Sequence, residues 1–557
     1  MKLPGRLDDS LRGGDVLIDL LSSNGTRLVF GIVGREGAAI RFDRSDKLQF
    51  VLCRHEQCAA IMAEVAGRLL GSPQVCFVTL GPGLTNALTG IASSFKDRSP
   101  LLAIAAQAET YNCHAEVHQY LDNVELAKPI TKFAAEPKNV RELVSDFYAA
   151  QNAISTGRPG PAFLSIPIDV LLEKVSQLPV AKPQKVEFGS KLNVNVSVDD
   201  RGIAKIASIL NEATSPLVIV GTGALKPDIS EAVRRFILMA QIPIASSLAA
   251  KGVLSNDRSL SLGAFSKYYD RWIQEGLLEQ VFSVIDCILL IGFELGDDLL
   301  PSLWEDTGVK KVCRIDCYPN NVPEYLSLDI DVGTGDVAES IDVLASLVHR
   351  RASVPTFRKD ILEAKRRVVD KRVQGRVNPA AIVSLIRDLS PRDTIFVCDV
   401  GMHKHISGLF LNAYEEGAYI GSNGLATMGF ALPAAIGAQM AMPERRVIAI
   451  CGDGGFHSVS QELEVVARYQ LPLILVVFED GAFGLIQAYQ RRAWSQEEAI
   501  STVFTKVDFV KLAEANGCRA RRANNEDEFK EAFVEALVAK QPYVLIVPVS
   551  YNTNWID

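Results

Sequence analysis

Apolar runs of four to seven residues recur along the chain, most ending in glycine or an acidic residue and followed by a stretch of helical period. In the first third, the pattern predicts helices over 15–24 and 55–70 and another starting at Leu84. It predicts strands over 28–33, 50–52, 74–79 and 101–106, with a closing strand near 163–168. The middle third repeats the layout with strands over 216–221, 242–245, 287–292 and 311–316. The last third does so with strands over 394–399, 446–451, 473–478 and 543–547. Continuous apolar strands, as opposed to alternating ones, are buried on both faces, and helices between them supply the cover. The pattern therefore predicts an α/β chain of three doubly wound parallel-sheet α/β/α domains, over residues 1–175, 190–350 and 375–550. Residues 173–197 read as a linker, and the strongly charged stretch 350–376 as a helical connector with a solvated face.

Bulk properties narrow the function without choosing it. The chain has 557 residues, 48% of them hydrophobic, ample for several cores. Its formal net charge is −8 with acidic and basic residues intermixed, which argues against a nucleic-acid surface. No run of apolar residues is long enough to span a membrane, and MKLPGRLDDSLRGGD lacks an apolar signal core, so a cytoplasmic location is expected. The ten cysteines contain no CxxC, and the seven histidines no HExxH. Gly221 and Gly223 form a GxG with no third glycine in register, which reads as a tight strand-to-helix turn and not as a dinucleotide site.

The candidate chemistry gathers in residues 447–486. A strand runs into Gly452-Asp453-Gly454-Gly455. A second strand runs into Glu479-Asp480-Gly481-Ala482-Phe483-Gly484. Glycines let backbone amides approach an anion closely, and Asp453 and Asp480 fall at the ends of two strands expected to be parallel neighbours. Hard oxygen ligands beside such a cradle point to Mg²⁺ holding a diphosphate. Glu56, at the start of the helix over 55–70, reads on its own equally as a partner for the helix dipole.

The Gly-Asp-Gly turn, its long spacer and the second turn resemble the thiamine-diphosphate motif, although Glu479-Asp480 stands where that motif has Asn-Asn. The three-part α/β chain resembles the thiamine-diphosphate enzymes of the acetolactate synthase superfamily. The resemblance implies a pyrimidine-binding first domain, a structural middle domain and a diphosphate-binding third. It implies that Glu56 contacts the pyrimidine, that the Ala426 carbonyl accepts from its amino group and that Met428 is the apolar wedge bending the cofactor. It places Gly452, Asp453, Gly454, Gly455, Asp480, Gly484 and Leu485 around the cofactor, with Mg²⁺ held by Asp453, Asp480 and the Ala482 carbonyl.

Further stretches, among them His118-Gln119-Tyr120-Leu121-Asp122, Gly454-Gly455-Phe456-His457-Ser458 and Gly484-Leu485-Ile486-Gln487-Ala488-Tyr489-Gln490, look most like carboxyethylarginine synthase of clavam biosynthesis. That likeness implies conversion of glyceraldehyde 3-phosphate to an acryloyl adduct, followed by addition of an amino-acid amine. His118, Gln119, Tyr268, Lys404 and His405 would then be catalytic, the histidines moving protons near neutral pH. Lys404 and Leu300 stand where that group carries Arg, and Asp297 and Asp298 would face a cationic side chain, so the amine need not be arginine. An acetolactate-synthase-like decarboxylase and carboligase acting on pyruvate is the alternative, and a non-catalytic relative with the same fold a third. The expected partners are small molecules, a phosphorylated triose or 2-keto acid with an amino acid, and no nucleic acid or membrane. The family's active sites lie between chains, which implies a homodimer or homotetramer. No flavin is expected in the middle domain.

Overall fold

The computed structural model describes residues 10–176, 199–293, 301–305, 307–317, 326–352, 357–371, 377–494 and 500–551. The chain forms two compact units, residues 1–190 and 191–557. Among the described residues no helix is long and apolar enough to cross a membrane.

The first unit holds β1 (Leu28–Gly31), β2 (Gln49–Leu52), β3 (Gln74–Val78), β4 (Leu101–Gln107), β5 (Phe133–Ala135) and β6 (Ala162–Pro167). They form one parallel sheet in the order β2-β1-β3-β4-β6-β5. Val29, Val75, Phe77, Leu102, Ile104 and Leu164 project from its central strands into a core completed by helical Leu17, Leu143 and Phe147. Helix α1 (Glu56–Leu70) starts at His55, whose Nδ1 accepts from the Gln57 amide at 3.2 Å, and stops at Gly71 in the left-handed region (φ 65°). Helix α2 (Pro82–Lys96) starts two residues before the expected Leu84 because Pro82 suits a first helical turn. A Cβ at Gly90 would lie 2.6 Å from the Ala60 Cβ and 2.7 Å from the Gln57 carbonyl oxygen, so glycine there lets α1 and α2 pack tightly.

The second unit carries two further parallel sheets. One contains β7 (Pro216–Val220), β8 (Ile244–Ser246), β9 (Ser261–Ala264), β10 (Cys287–Ile291), β11 (Lys311–Asp316) and β12 (Ile330–Gly333), in the order β12-β11-β10-β7-β8-β9. The other contains β13 (Ile395–Cys398), β14 (Tyr419–Gly421), β15 (Val447–Gly452), β16 (Ile474–Glu479), β17 (Arg519–Arg522) and β18 (Tyr543–Pro548), in the order β14-β13-β15-β16-β18-β17. One apolar core runs through both, from Leu217 and Leu290 to Ile450 and Val476. The helices that matter below are α3 (Phe357–Val369), α4 (Met402–Phe410), α5 (Ala431–Ala441), α6 (Asp453–Val459) and α7 (Gly484–Trp494).

Two features correct or sharpen the sequence reading. Helix α3, expected to be a solvated connector, buries Ile361 and Ala364 and half-buries Lys365, because its apolar positions recur on one face. At the point where the strand order reverses between β7 and β10, the Gly223 amide donates to the Gly292 carbonyl at 2.8 Å. A Cβ on Gly223 would lie 2.8 Å from the Gly292 Cα, so the GxG glycine serves a close backbone contact. Asp297, Asp298 and Leu300 lie outside the described residues, as does most of the expected linker over 173–197.

Within the first unit, Glu64 on α1 is fully buried and accepts from the Ser99 hydroxyl at 3.0 Å. Burial first, and the Asp97 charge second, push its carboxyl up to about 8. An acid whose folded pKa is raised stabilises the fold below its unfolded value, and that contribution is lost as pH climbs towards the folded one. Wild-type stability is therefore expected to fall between pH 5 and 8.5, and Glu64→Gln to flatten that fall, measured by urea unfolding at a series of pH values. An unchanged slope in the variant would rule out the buried carboxyl as its source.

Candidate active site

The register of β15 against β16 places Gly452 opposite Phe478, so Asp453 and Asp480 leave two adjacent strand ends side by side. Asp453 is buried and accepts from the amides of Gly454 at 2.9 Å and Gly481 at 2.8 Å. Burial first, then the facing Asp453 carboxylate, push Asp480 up to about 7, and burial with the Glu479 charge pushes Asp453 up as well. Two desolvated carboxylates facing each other are relieved by a divalent cation, and their hard oxygens suit Mg²⁺. Gly481 takes a left-handed φ of 75°, which turns its amide onto Asp453. A Cβ on Gly484 would lie 2.3 Å from the Asp480 Oδ2, so the first residue of α7 must be glycine if Asp480 is to keep its place. Ala482 is buried in the same turn, paired antiparallel with Val503, and Leu485 packs against the core.

Glu479, the odd residue of the second turn, is held by Arg522 at the end of β17. Arg522 Nη1 donates to Oε2 at 2.6 Å and Nη2 to Oε1 at 2.7 Å, a two-pronged pair that spans the end of β18. The extra negative charge at the turn therefore travels with its own cation. Arg522 sits 43 residues away along the chain, and no local pattern links the two.

Helix α4 brings four polar side chains, His403, Lys404, His405 and Ser407, into the interior. His403, which the motif reading passed over for its neighbours, is buried with its Nε2 lacking a partner among the described residues, and burial pushes it down to about 3. Its ring faces backbone on two sides: a Cβ on Gly401 would lie 2.7 Å from its Cε1, and one on Gly452 3.0 Å. The neutral ring bonds the Asp399 backbone through its other nitrogen, so Nε2 is left as an acceptor that a donor group or an ordered water would complete. The signal was available: Asp399-Val400-Gly401 repeats the strand-end glycine turn of the Gly-Asp-Gly stretch. Asp399 itself is structural. It accepts from the amides of Val400 (2.7 Å), Gly429 (3.0 Å), Phe430 and Ala431 (3.4 Å each) at the start of α5, and burial still pushes it up to about 6.

His405 and Tyr268, both named from sequence, do meet: their rings are edge to face at 4.2 Å. The Tyr268 hydroxyl lies 2.7 Å from that of Tyr489 on α7. Lys404 is buried, and its carbonyl accepts from the Tyr419 hydroxyl at 3.2 Å. In the loop over 423–429, Leu425, Ala426 and Met428 are exposed, and Ala426 holds a left-handed φ of 54° that costs a non-glycine residue energy.

The first unit carries the remaining named residues. Glu56 is 9% exposed and accepts from Asn86 Nδ2 at 3.0 Å, a partner on α2 that sequence reasoning missed. His118 and Gln119 are exposed on a turn pressed against the Gly81 turn, with Gln119 at a left-handed φ of 60°. A Cβ on Gly81 would lie 2.5 Å from the Gln119 carbonyl oxygen, which requires glycine there.

Glycine turns and paired aspartates at the strand ends of one parallel sheet, with a buried helix-start glutamate on another, define a diphosphate-cofactor enzyme class, and family comparisons agree. Residues 11–126 match the family described as thiamine pyrophosphate enzyme, N-terminal TPP binding domain; 203–344 match its central domain and 399–547 its C-terminal TPP binding domain. A probable acetolactate synthase large subunit of Methanocaldococcus jannaschii is 30% identical over 554 residues, covering 97% of this chain and 92% of that protein. An acetolactate synthase of Bacillus subtilis is 29% identical over 98% of this chain and 94% of its own. An acetolactate synthase large subunit of Pyropia yezoensis is 30% identical over the whole chain and 94% of its own. The chain belongs to the acetolactate synthase family of thiamine-pyrophosphate enzymes.

Removing Arg522 strands a mostly buried Glu479 charge beside two further carboxylates. Arg522→Met is expected to destabilise the protein by about 1–3 kcal/mol, and adding Glu479→Gln to recover most of that loss. A double-mutant cycle by chemical unfolding measures it, and strictly additive effects would show the pair to be uncoupled.

Proposed function

We propose that the chain is a Mg²⁺- and thiamine-diphosphate-dependent carboligase that takes a 2-keto acid such as pyruvate as donor. The observation that carries this reading is the pair of facing, proton-raised carboxylates Asp453 and Asp480 between two glycine turns. The residues fit the group: Asp453, Asp480 and the Ala482 carbonyl would hold Mg²⁺, and the Gly452–Gly455 and 481–484 turns would receive the diphosphate. When bound, thiamine diphosphate supplies a carbon nucleophile that also stores the electron pair released by decarboxylation. Glu56 would exchange a proton with the pyrimidine ring through Oε1 while Asn86 holds Oε2. Ala426 and Met428 would contact the pyrimidine half from the loop over 423–429. The acetolactate synthase names of the relatives support the donor and the carboligase class. We take the working assembly to be a homodimer or homotetramer.

A second reading, of the carboxyethylarginine synthase type, draws on the cluster of His405, Tyr268 and Tyr489. An imidazole against one phenol, itself bonded to a second, can pass protons at the His405 ring and the Tyr268 oxygen. A β-elimination followed by amine addition needs more such transfers than a decarboxylation. His118, Gln119 and Lys404 would serve that chemistry at substrate oxygens and phosphate. The relatives' names lend this reading no support, so it ranks second.

The purified protein with thiamine diphosphate and Mg²⁺ is expected to release CO₂ from pyruvate and form a C–C coupled product. Phosphate release from glyceraldehyde 3-phosphate with an amino acid would select the second reading instead. Glu56→Gln is expected to lower turnover about 10²- to 10⁴-fold while cofactor affinity changes little. Full turnover in that variant would remove Glu56 from the chemistry.

A further inference from the structure

Helix α4 is gripped at its far end by two lysines, Lys251 buried and Lys365 half-buried. Lys251, 2% exposed and on the segment after β8, donates from Nζ to the carbonyls of Gly408 (2.7 Å), Ser407 (3.3 Å) and Leu411. Its charge also lies over the Tyr419 ring, 4.6 Å from the centroid. Lys365, on α3, donates to the Leu409 carbonyl at 2.7 Å and lies 5.8 Å from the Tyr269 ring centroid. Carbonyl oxygens and ring faces meet both amines where a carboxylate would ordinarily be found. Such an arrangement costs desolvation and is favourable at one kind of place, the negative end of a helix with its last carbonyls unpaired. The turn bearing Lys251 fits only because Gly252 is glycine: a Cβ there would lie 2.1 Å from the Glu415 carbonyl oxygen, and its φ is 92°.

The same helix carries His403 and His405 in its first turn, one against Gly452 and the other against Tyr268. A nine-residue helix moves as a rod, so what holds its last turn sets where its first turn sits. Tyr419 couples the two ends directly, since its ring faces Lys251 and its hydroxyl donates to the Lys404 carbonyl.

We propose that Lys251 and Lys365 are positioning residues that fix the axial placement of α4 and thereby of His403 and His405 at the candidate cofactor site. The inference rests on the cofactor reading above for what the first turn touches. The groups facing the two ammonium ions are Cys398 of β13, Tyr419 of β14, Tyr269, and Arg358 on α3, besides each other. Burial first, then the Arg358 charge, push Lys365 down to about 8, and burial first, then the Lys365 charge, push Lys251 well below the usual lysine range. Raising the pH through 8 then discharges Lys365 and loosens the grip.

The test is the affinity of the full-length protein for thiamine diphosphate with Mg²⁺, by calorimetry from pH 6.5 to 9.5, on wild type, Lys365→Met and Lys365→Arg, with Lys251→Arg as a further control. Wild-type affinity is expected to weaken above pH 8. Lys365→Met is expected to bind about tenfold more weakly at pH 7 with that alkaline loss absent. Lys365→Arg is expected to bind as wild type at pH 7 and to keep its affinity past pH 9. Wild-type affinity and pH dependence in Lys365→Met would overturn the proposal, as would an alkaline loss unchanged in Lys365→Arg. Should Lys365→Met fail to fold, the arginine variant alone decides by the same comparison. If wild type binds no thiamine diphosphate at any pH, the cofactor reading fails; the positioning proposal is then read from the His403 and His405 imidazole resonances, which Lys365→Arg should leave in place at pH 9 while wild type shifts.

Discussion

Two carboxylates that repel one another are held side by side at the ends of neighbouring parallel strands, and much of the second unit exists to keep them there. The β15–β16 register brings Asp453 and Asp480 together, and the buried strands beneath leave them nowhere to retreat. Gly481 turns an amide onto Asp453, and Gly484 clears the space that Asp480 occupies. Arg522 neutralises the adjoining Glu479, so the turn's excess charge is confined to the two aspartates. A protein that tolerates such a pair in its resting state has a use for it, and hard divalent metal binding is the use that fits oxygen donors of this kind.

The substitution of Glu479-Asp480 for Asn-Asn is then a coherent exchange. Asp480 keeps an oxygen where the motif has an amide oxygen. Glu479 points along the sheet edge to a cation on β17, away from the cradle. The change adds one charge beside Asp453 and pairs the other with Arg522, which argues against decay of the site.

The three sheets were legible because their inner strands are continuous apolar runs. The strands that sequence reading did not find are β5, β9, β12, β14 and β17, and each is an edge strand of its sheet. These edge strands are only three or four residues long and pair on one side only, too short a run for a period or an apolar stretch to stand out. Arg519–Arg522 is the extreme case, a strand spelled almost wholly in arginine whose side chains meet Glu535, Glu531 and Glu479. The glycine turns were legible as motifs, and the structure adds a reason for Gly81, Gly223, Gly481 and Gly484. Partners distant in sequence were not: Asn86 for Glu56, Arg522 for Glu479 and Tyr489 for Tyr268 depend on chain crossings that no local pattern encodes. Lysines 251 and 365 were hidden differently, since a lysine turned into the fold is spelled like a surface one.

The central claim is that the Asp453–Asp480 turn binds a Mg²⁺-diphosphate cofactor. Calorimetric titration of thiamine diphosphate into wild type and Asp453→Asn, with Mg²⁺ and with EDTA, bears on it most directly. Saturable binding that requires Mg²⁺ and collapses in Asp453→Asn is the expected result. Binding unaffected by EDTA and by the substitution, or none to the wild type, would contradict it.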